Sequence, residues 1–213
     1  MTHDIVSCTD TGASVPIEIK KYNAPDWMQC SLKYDTINGK WVGSSKNRIP
    51  ETAKKIFEEI IGGAHTRPLF NGHIPPFMHR DVTHTEWLQI KRDTADFADT
   101  YITCVDSTIG ALYREKGCYY IQISDKGLYH LGQDICNFGV PLFTCEQQLR
   151  IRTKIHTRKN ARGFCTLSVM VSCQPKNGKH ITPSPYSLDN PATLPANLCY
   201  MPRAPHAPPV GSA

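Results

Sequence analysis

The sequence predicts a mainly β protein: an antiparallel β-sandwich or barrel with one α-helix at about residues 50–61 and a proline-rich C-terminal tail. Three observations lead to this prediction. Short apolar runs alternate with polar residues and are separated by turn signals, which is typical of antiparallel strands. A single segment has the periodicity of an amphipathic helix. From Pro175 onward, nine prolines occur in 39 residues, and proline removes backbone donors that strands and helices need.

The individual elements follow from these patterns. The predicted strands are residues 15–22, 86–93, 100–107, 118–124 and 128–131. A hairpin is expected at 27–44, because Asn38-Gly39 is a favoured two-residue turn. The helix is expected to begin at Pro50 and to end at Gly62-Gly63, since proline suits a first helical turn and glycine suits a helix end.

The domain organisation follows from the same reading. We expect a flexible N-terminus at 1–11, a single β-rich domain at 12–175, and a proline-rich tail or arm at 176–213. The composition is 40% hydrophobic and 20% charged, which excludes a disordered chain. No apolar run approaches the roughly 20 residues that cross a bilayer, so no membrane insertion is expected.

Cysteine usage and the N-terminal sequence indicate the compartment. The nine cysteines are scattered and odd in number, unlike the even sets of secreted disulfide scaffolds. The first 20 residues lack the basic and apolar regions of a secretory signal. We therefore expect reduced, structural thiols and an intracellular location, in the nucleus or the cytoplasm.

Residues 148–173 predict a long hairpin with two different faces. Side chains alternate between the faces of a strand, so the apolar Leu149, Ile151 and Ile155 point one way. The other face carries Arg150, Arg152, Lys154 and His156. The turn adds Arg158, Lys159 and Arg162, with Phe164 at its foot.

The hairpin also concentrates the positive charge of the chain. No Asp or Glu occurs between Glu146 and Asp189, whereas eight Lys or Arg do. Removing these eight from the 24 basic residues leaves 16 against 19 acidic residues elsewhere, so this segment supplies the whole net charge of +5. Like charges held side by side in a sheet repel each other. This pattern favours an anionic partner.

Among anions, DNA or RNA fits best, because arginine and lysine suit phosphate oxygens and a two-stranded ribbon can enter a major groove. We therefore predict a non-enzymatic nucleic-acid-binding protein, with a regulatory role left open. Six engaged Lys or Arg would give a salt slope of about −5. The predicted contact residues are Arg150, Arg152, Lys154, His156, Arg158, Lys159, Arg162 and Phe164. Thr157, Asn160, Thr166 and Ser168 could add neutral contacts.

Two other classes of protein stay open. The first is a structural or adaptor protein whose basic face meets an acidic protein surface, or which self-assembles into a homo-oligomer. The second is a metal-dependent oxygenase, because His79-x-Asp81 with a later histidine such as His130 has the ligand types of a facial iron site. The simplest alternative is a solvated sheet face without a ligand.

We nevertheless expect neither a catalytic residue nor a cofactor. A structural zinc site could use Cys118, Cys136 and Cys145 with a histidine, but the C-x₂₋₄-C pairs of zinc modules are absent from the sequence. Zinc and iron are therefore only minor alternatives.

Overall fold

The computed structural model describes residues 5–9, 12, 14–63 and 65–199, with the backbone alone for 5–9, 157–159 and 165. The strands are β1 (Ile5–Thr9), β2 (Ser14–Lys20), β3 (Met28–Asp35), β4 (Lys40–Gly43), β5 (Thr100–Cys104), β6 (Tyr120–Ile123), β7 (Gly127–His130), β8 (Gln147–Lys159), β9 (Cys165–Pro175) and β10 (Leu198–Cys199). The α-helices are α1 (Glu51–Ile61), α2 (His84–Asp93) and α3 (Thr108–Glu115).

The strands form two five-stranded sheets, which confirms the mainly β prediction. The first sheet has the order β10-β1-β2-β6-β7, and the second has the order β4-β3-β9-β8-β5. The pairing is antiparallel except between β2 and β6, which run parallel. The second sheet contains the predicted basic hairpin, β8–β9, at its centre.

The predicted helix is confirmed as α1. Pro50 occupies the N-cap position and Gly62 the C-cap position. Ala53 and Phe57 are completely buried against the core. The helix forms here because its apolar residues recur at helical spacing and burial of that stripe stabilises it.

The prediction of a single helix was wrong. Residues 86–93, predicted as a strand, lie in α2, where the Thr83 side chain accepts a hydrogen bond from the Glu86 backbone N–H at 3.2 Å. This is the first half of a T-x-x-E capping box, and it fixes a helix start that apolar alternation does not reveal. The third helix, α3, buries Ile109, Leu112 and Tyr113 at helical spacing.

The other predicted elements are present, but some begin or end at different residues than predicted. The β3–β4 hairpin turns at Asn38-Gly39, with Gly39 at a φ of 63°. The strand predicted at 100–107 ends at Cys104, since α3 follows shortly after it. The β6–β7 turn uses Asp125 and Gly127, both at positive φ.

Most of the core lies between the second sheet and the helices. A larger cluster contains Trp27, Phe57, Phe70 and Trp87, and a smaller one lies on the far side of the first sheet. Residues 176–199, within the predicted tail or arm, contribute buried Leu188 and strand β10 to that smaller cluster.

Parts of the predicted termini lie outside the description. Within the predicted flexible N-terminus, 5–9 form β1, and residues 1–4, 10 and 11 lie outside the described residues. Residues 200–213 of the predicted tail also lie outside them. In the described part of the chain, none of the helices has the length and apolar character needed to span a bilayer.

Candidate nucleic-acid interface

The β8–β9 hairpin has the two-faced structure that its alternation predicts. Its ladder runs from Gln147 opposite Pro175 to His156 opposite Thr166, and a bulge follows before Lys159. Leu149 and Ile151 are completely buried on the inner face. The basic residues alternate with them and therefore lie on the outer face.

The hairpin is longer than the strands beside it. The β5 ladder ends where Thr100 pairs with Ile151, and the β3 ladder ends where Leu32 pairs with Val169. Beyond both ladders, residues 154–168 continue as a two-stranded extension, here called the distal ribbon. On its inner side, Ile155 and Leu167 pack against the core, so its outer side is the one available to a ligand.

At the base of the hairpin, Arg150 is held by acidic residues. Its Nε and Nη2 groups donate to one carboxylate oxygen of Asp99 at 2.9 and 2.6 Å. Its Nη1 lies 3.8 Å from Asp26 Oδ1. Partial burial, the largest single influence, lowers the pKa of Arg150. The hydrogen bond and charge of Asp99, together with Tyr101 and Asp26, outweigh it, so the pKa rises.

Arg152 is held by the same acidic group. It donates to Asp26 Oδ2, and Ser172 donates to Asp26 Oδ1 at 2.8 Å. The Asp26 side chain is only 9% exposed, so this carboxylate is committed to the hairpin. Arg150, Arg152, Asp26 and Asp99 thus form a neutral network.

The absence of acidic residues between Glu146 and Asp189 therefore does not leave these two arginines without acidic partners. The reason is topological. Asp26 lies two residues before the start of β3, Asp99 directly precedes β5, and both strands belong to the same sheet as β8. The sequence lacks carboxylates only in the segment that flanks these arginines. The fold brings carboxylates to them from 126 and 51 residues away in the sequence.

The turn of the hairpin is ordered by Asn160. Its side-chain oxygen accepts hydrogen bonds from the backbone N–H groups of Arg162 and Phe164, both at 3.0 Å. Gly163 has a φ of 81°, which glycine adopts readily. Phe164 is partly exposed at the foot of this turn.

Arg162 also meets an acidic residue. Its Nη2 lies 2.7 Å from Asp81 Oδ2, and Asn160 donates to the same carboxylate group at 3.4 Å. Arg162 is 75% exposed, so solvent screens this ion pair and it contributes little. A competing anion could displace it more easily than the Asp26 network.

Lys154 has a different environment. It forms no ion pair with a carboxylate in the described part of the chain. Beside it, His156 Nε2 lies 2.7 Å from Ser168 Oγ. Burial, and secondly the charge of Lys154, lower the pKa of His156. The backbone of Arg158 and Lys159 continues the same strand, and their side chains lie outside the description.

Sequence reasoning missed one cation at this surface. Lys33 follows Leu32, the last β3 residue paired with β9, and it is exposed. Alternation places it on the outer face at the base of the distal ribbon, beside Ser168 of β9. Lys154 lies on the other side of Ser168, on β8. The sequence could have indicated that Lys33 is exposed, because it alternates with apolar residues in a predicted strand. That this strand lies beside β9 follows only from the order of strands in the sheet.

The alternative metal sites are not assembled by the described residues. Asp81 faces Arg162, whereas His130 lies on β7, where its Nδ1 accepts from the Gly132 backbone N–H at 3.3 Å. His79 is exposed. In the described part of the chain no three His, Cys, Asp or Glu side chains form a metal-binding group, including Cys118, Cys136 and Cys145.

Most cysteines with described side chains are free thiols. They are Cys30, Cys104, Cys136, Cys145, Cys173 and Cys199. Burial raises the pKa of Cys30 and of Cys145 to about 12. Cys104 differs, because a hydrogen bond with Cys173, at 4.0 Å between the sulfur atoms, lowers its pKa. Cys8 and Cys165 have no described side chain.

Comparison with known proteins adds no relative: the chain matches no protein-family model and no curated protein, and its structure matches no solved structure.

Proposed function

We propose that the protein binds nucleic acid through the distal ribbon, with Lys154 on its outer side and Arg158 and Lys159 at its bulged end. The observation that carries the proposal is the segment 154–159, which holds Lys154, Arg158 and Lys159 on an extension that projects beyond its neighbouring strands. Lys33 lies at the base of the same surface. Clustered cations on a projecting ribbon suit the closely spaced phosphates of a nucleic-acid backbone.

The ion pairs at the base of the hairpin narrow the proposed surface. Arg150 and Arg152 would have to leave Asp99 and Asp26 in order to contact a phosphate. Exchanging these carboxylates for a phosphate gains little binding free energy, because one anion replaces another and a partly buried carboxylate is left without its partners. We therefore assign the phosphate contacts to Lys33, Lys154, Arg158 and Lys159, which predicts a salt slope between about −3 and −4.

Neutral groups on the same surface support this assignment. Ser168 pairs with Lys154 and Thr166 pairs with His156, so both hydroxyl groups lie on the outer side of the ribbon. Such groups commonly bind phosphate or sugar oxygens, and these contacts position a protein without reading sequence. Phe164 is partly exposed and could stack on an unpaired base. We propose a binding protein without catalytic activity that acts inside cells, in the nucleus or the cytoplasm.

A direct binding experiment tests the proposal. Labelled DNA and RNA of mixed sequence, as 20-nucleotide single strands and as duplexes, would be titrated with the protein and followed by fluorescence anisotropy. Replacing Lys154, Arg158 and Lys159 with serine should weaken binding at least about tenfold, because three phosphate contacts are lost. The matched control replaces Lys21, Arg92 and Lys179, which are exposed cations in other elements.

The control variant distinguishes binding at the distal ribbon from nonspecific attraction by the net positive charge of the protein. It removes the same number of positive charges and should weaken binding by less than about threefold, since exposed charges far from a ligand are screened. Equal losses in the two variants, or no binding by the wild-type protein, would overturn the proposal. A stable complex with an acidic protein that survives nuclease treatment would favour the adaptor alternative instead.

A further inference from the structure

A second candidate site lies at the edge of the second sheet. A cavity of about 600 Å³, here called the hairpin groove, opens between the β3–β4 hairpin, α1 and residues 68–74. Its lining includes Tyr34, Lys40, Trp41, Lys55, Glu59 and Leu69. The volume suits a nucleotide-sized molecule, and the lining combines aromatic rings with charged groups, as ligand sites commonly do.

One wall of the hairpin groove has an unusual backbone. Phe70, Asn71 and Gly72 have φ values of 54°, 54° and 83°, so three consecutive residues are left-handed. This conformation is unfavourable for Phe70. Its ring is held between Trp41 and Phe97, with both centroid distances at 5.7 Å. The surrounding structure thus imposes the shape of this wall, and such imposed strain is frequent at functional sites.

Trp41 offers a surface for a planar ligand. It lines the hairpin groove, and its interplanar angles with Tyr34 and Phe70 are 67° and 73°, so neither of these rings stacks in parallel on it. No parallel stacking partner of Trp41 occurs in the part of the chain that the structure describes. The ring is half-buried, which fixes its position. Nucleobases stack on such aromatic rings irrespective of their sequence.

The charged residues of the hairpin groove are available as well. Glu58 is occupied, because its Oε1 accepts a hydrogen bond from the Gly43 backbone N–H at 2.7 Å. Lys40, Lys55 and Glu59 are exposed, and none of them forms an ion pair with another described residue. Two ammonium groups can bind phosphates, and a carboxylate can accept from the amino group of a base.

We propose that the hairpin groove binds one unstacked base of a single-stranded nucleic acid. The base stacks on Trp41, its amino or imino group donates to Glu59, and the flanking phosphates lie at Lys40 and Lys55. This inference rests on the proposed function and deepens it, since it adds a preference for single strands over duplexes. A paired base cannot enter the groove without leaving its stack.

The position of the groove fits a strand that also contacts the distal ribbon. Tyr34 and Trp41 are paired residues of the β3–β4 hairpin, and Lys33, next to Tyr34, lies on its opposite face. In the described structure β4 is an edge strand of this sheet. A single-stranded chain can therefore pass around that edge, from the outer face to the groove.

The test compares single-stranded and duplex DNA of the same mixed sequence by fluorescence anisotropy. Trp41→Leu should weaken single-strand binding at least about fivefold while duplex binding changes less than about twofold. Because Trp41 packs against Phe70, a second variant, Lys40→Ser with Lys55→Ser, alters exposed groups alone and should give the same selective loss. Lys21→Ser with Lys179→Ser is the charge-matched control.

The outcomes separate this inference from the proposed function. If the groove variants bind both forms like the wild type while the distal-ribbon variant is weakened, the groove inference is overturned and the ribbon proposal stands. If only the groove variants lose affinity, the ribbon proposal is overturned instead. Equal weakening of single-strand and duplex binding by the groove variants also contradicts the inference, and a wild-type protein that binds neither form overturns both.

Discussion

Arg150 on β8 donates through two nitrogen atoms to a single carboxylate oxygen of Asp99, at 2.9 and 2.6 Å. The two residues lie 51 positions apart and meet because Asp99 directly precedes β5, the strand beside β8. This ion pair removes Arg150 from the set of cations that can bind a ligand without a cost. It also gives the hairpin a neutral base and a cationic end.

Asp26 should be important for stability. Replacing it with alanine leaves Arg150, Arg152 and Ser172 without an acceptor that they share in the wild type. Loss of one partner from a mostly buried ionic network is strongly destabilising, and the partial exposure of the arginines reduces the effect. We expect a loss of about 2–3 kcal/mol in the free energy of unfolding, measured by urea denaturation.

The matched control for this experiment is Asp93→Ala. Asp93 is an exposed carboxylate that accepts one hydrogen bond from Gln89 at 2.7 Å. Its loss should cost less than about 0.5 kcal/mol. Similar effects of the two substitutions would contradict the assignment of Asp26 as the centre of the network.

Asp99→Asn should increase nucleic-acid affinity. The substitution removes the charge that holds Arg150 and leaves a neutral group of the same size. Arg150 then keeps only its 3.8 Å contact with Asp26, so it can make one further phosphate contact, which would steepen the salt slope by up to about 0.9. Anisotropy titrations at several salt concentrations measure this change. An affinity equal to that of the wild type would show that the ion pair does not withhold Arg150.

The proximity of Lys154 to His156 should be measurable by NMR. Burial and the charge of Lys154 lower the pKa of His156 below its ordinary value of 6.5. Lys154→Ser removes the second cause, so the pKa of the imidazole should rise, though burial keeps it below 6.5. Lys33→Ser is the control and should leave this pKa unchanged. A lower or unchanged value in Lys154→Ser would contradict the geometry.

The same histidine predicts a pH dependence of stability. Because its pKa is lower in the folded state, the unfolded chain binds more protons in the range below pH 6.5. The free energy of unfolding should therefore fall as the pH falls through this range, and it should fall less steeply in His156→Gln. Urea denaturation at several pH values measures the two slopes. An identical pH dependence in both proteins would contradict this role of His156.

Cys104 should be more reactive than the neighbouring Cys145. Its pKa is lowered chiefly by the hydrogen bond with Cys173, whereas burial raises that of Cys145 to about 12. The thiolate is the reactive form, so a maleimide near pH 7 should modify Cys104 well before Cys145. Cys173→Ala should move the pH midpoint of Cys104 modification upward, as followed by peptide mass spectrometry. An unchanged midpoint would contradict the proposed thiol pair.

Sequence patterns correctly predicted the elements that depend on interactions between residues close together in the sequence. Alternation predicted the two faces of β8 and β9, Asn38-Gly39 predicted a hairpin turn, and helical spacing predicted α1. The α2 segment was misassigned because its capping residue, Thr83, lies outside the apolar run from which the strand was inferred. A search for T-x-x-E before each predicted strand would have found it.

Contacts between distant segments could not be predicted in the same way. The sequence shows that residues 147–188 lack acidic residues, but not that Asp26 and Asp99 lie beside the hairpin. Sheet order determines those contacts, and it also places Lys33 beside Ser168, across β9 from Lys154. The cationic surface is consequently smaller and more distal than alternation alone indicates.

The salt dependence of nucleic-acid binding distinguishes a phosphate-binding surface on the distal ribbon from one at the base of the hairpin. Replacing Lys154, Arg158 and Lys159 with serine should reduce the magnitude of the slope by about 2–3, because three phosphate contacts are lost. Replacing Arg150 and Asp99 together removes a neutral ion pair and should leave the slope unchanged. A slope that is insensitive to the first variant but reduced by about 1 in the second would place the contact at the base of the hairpin and contradict the account.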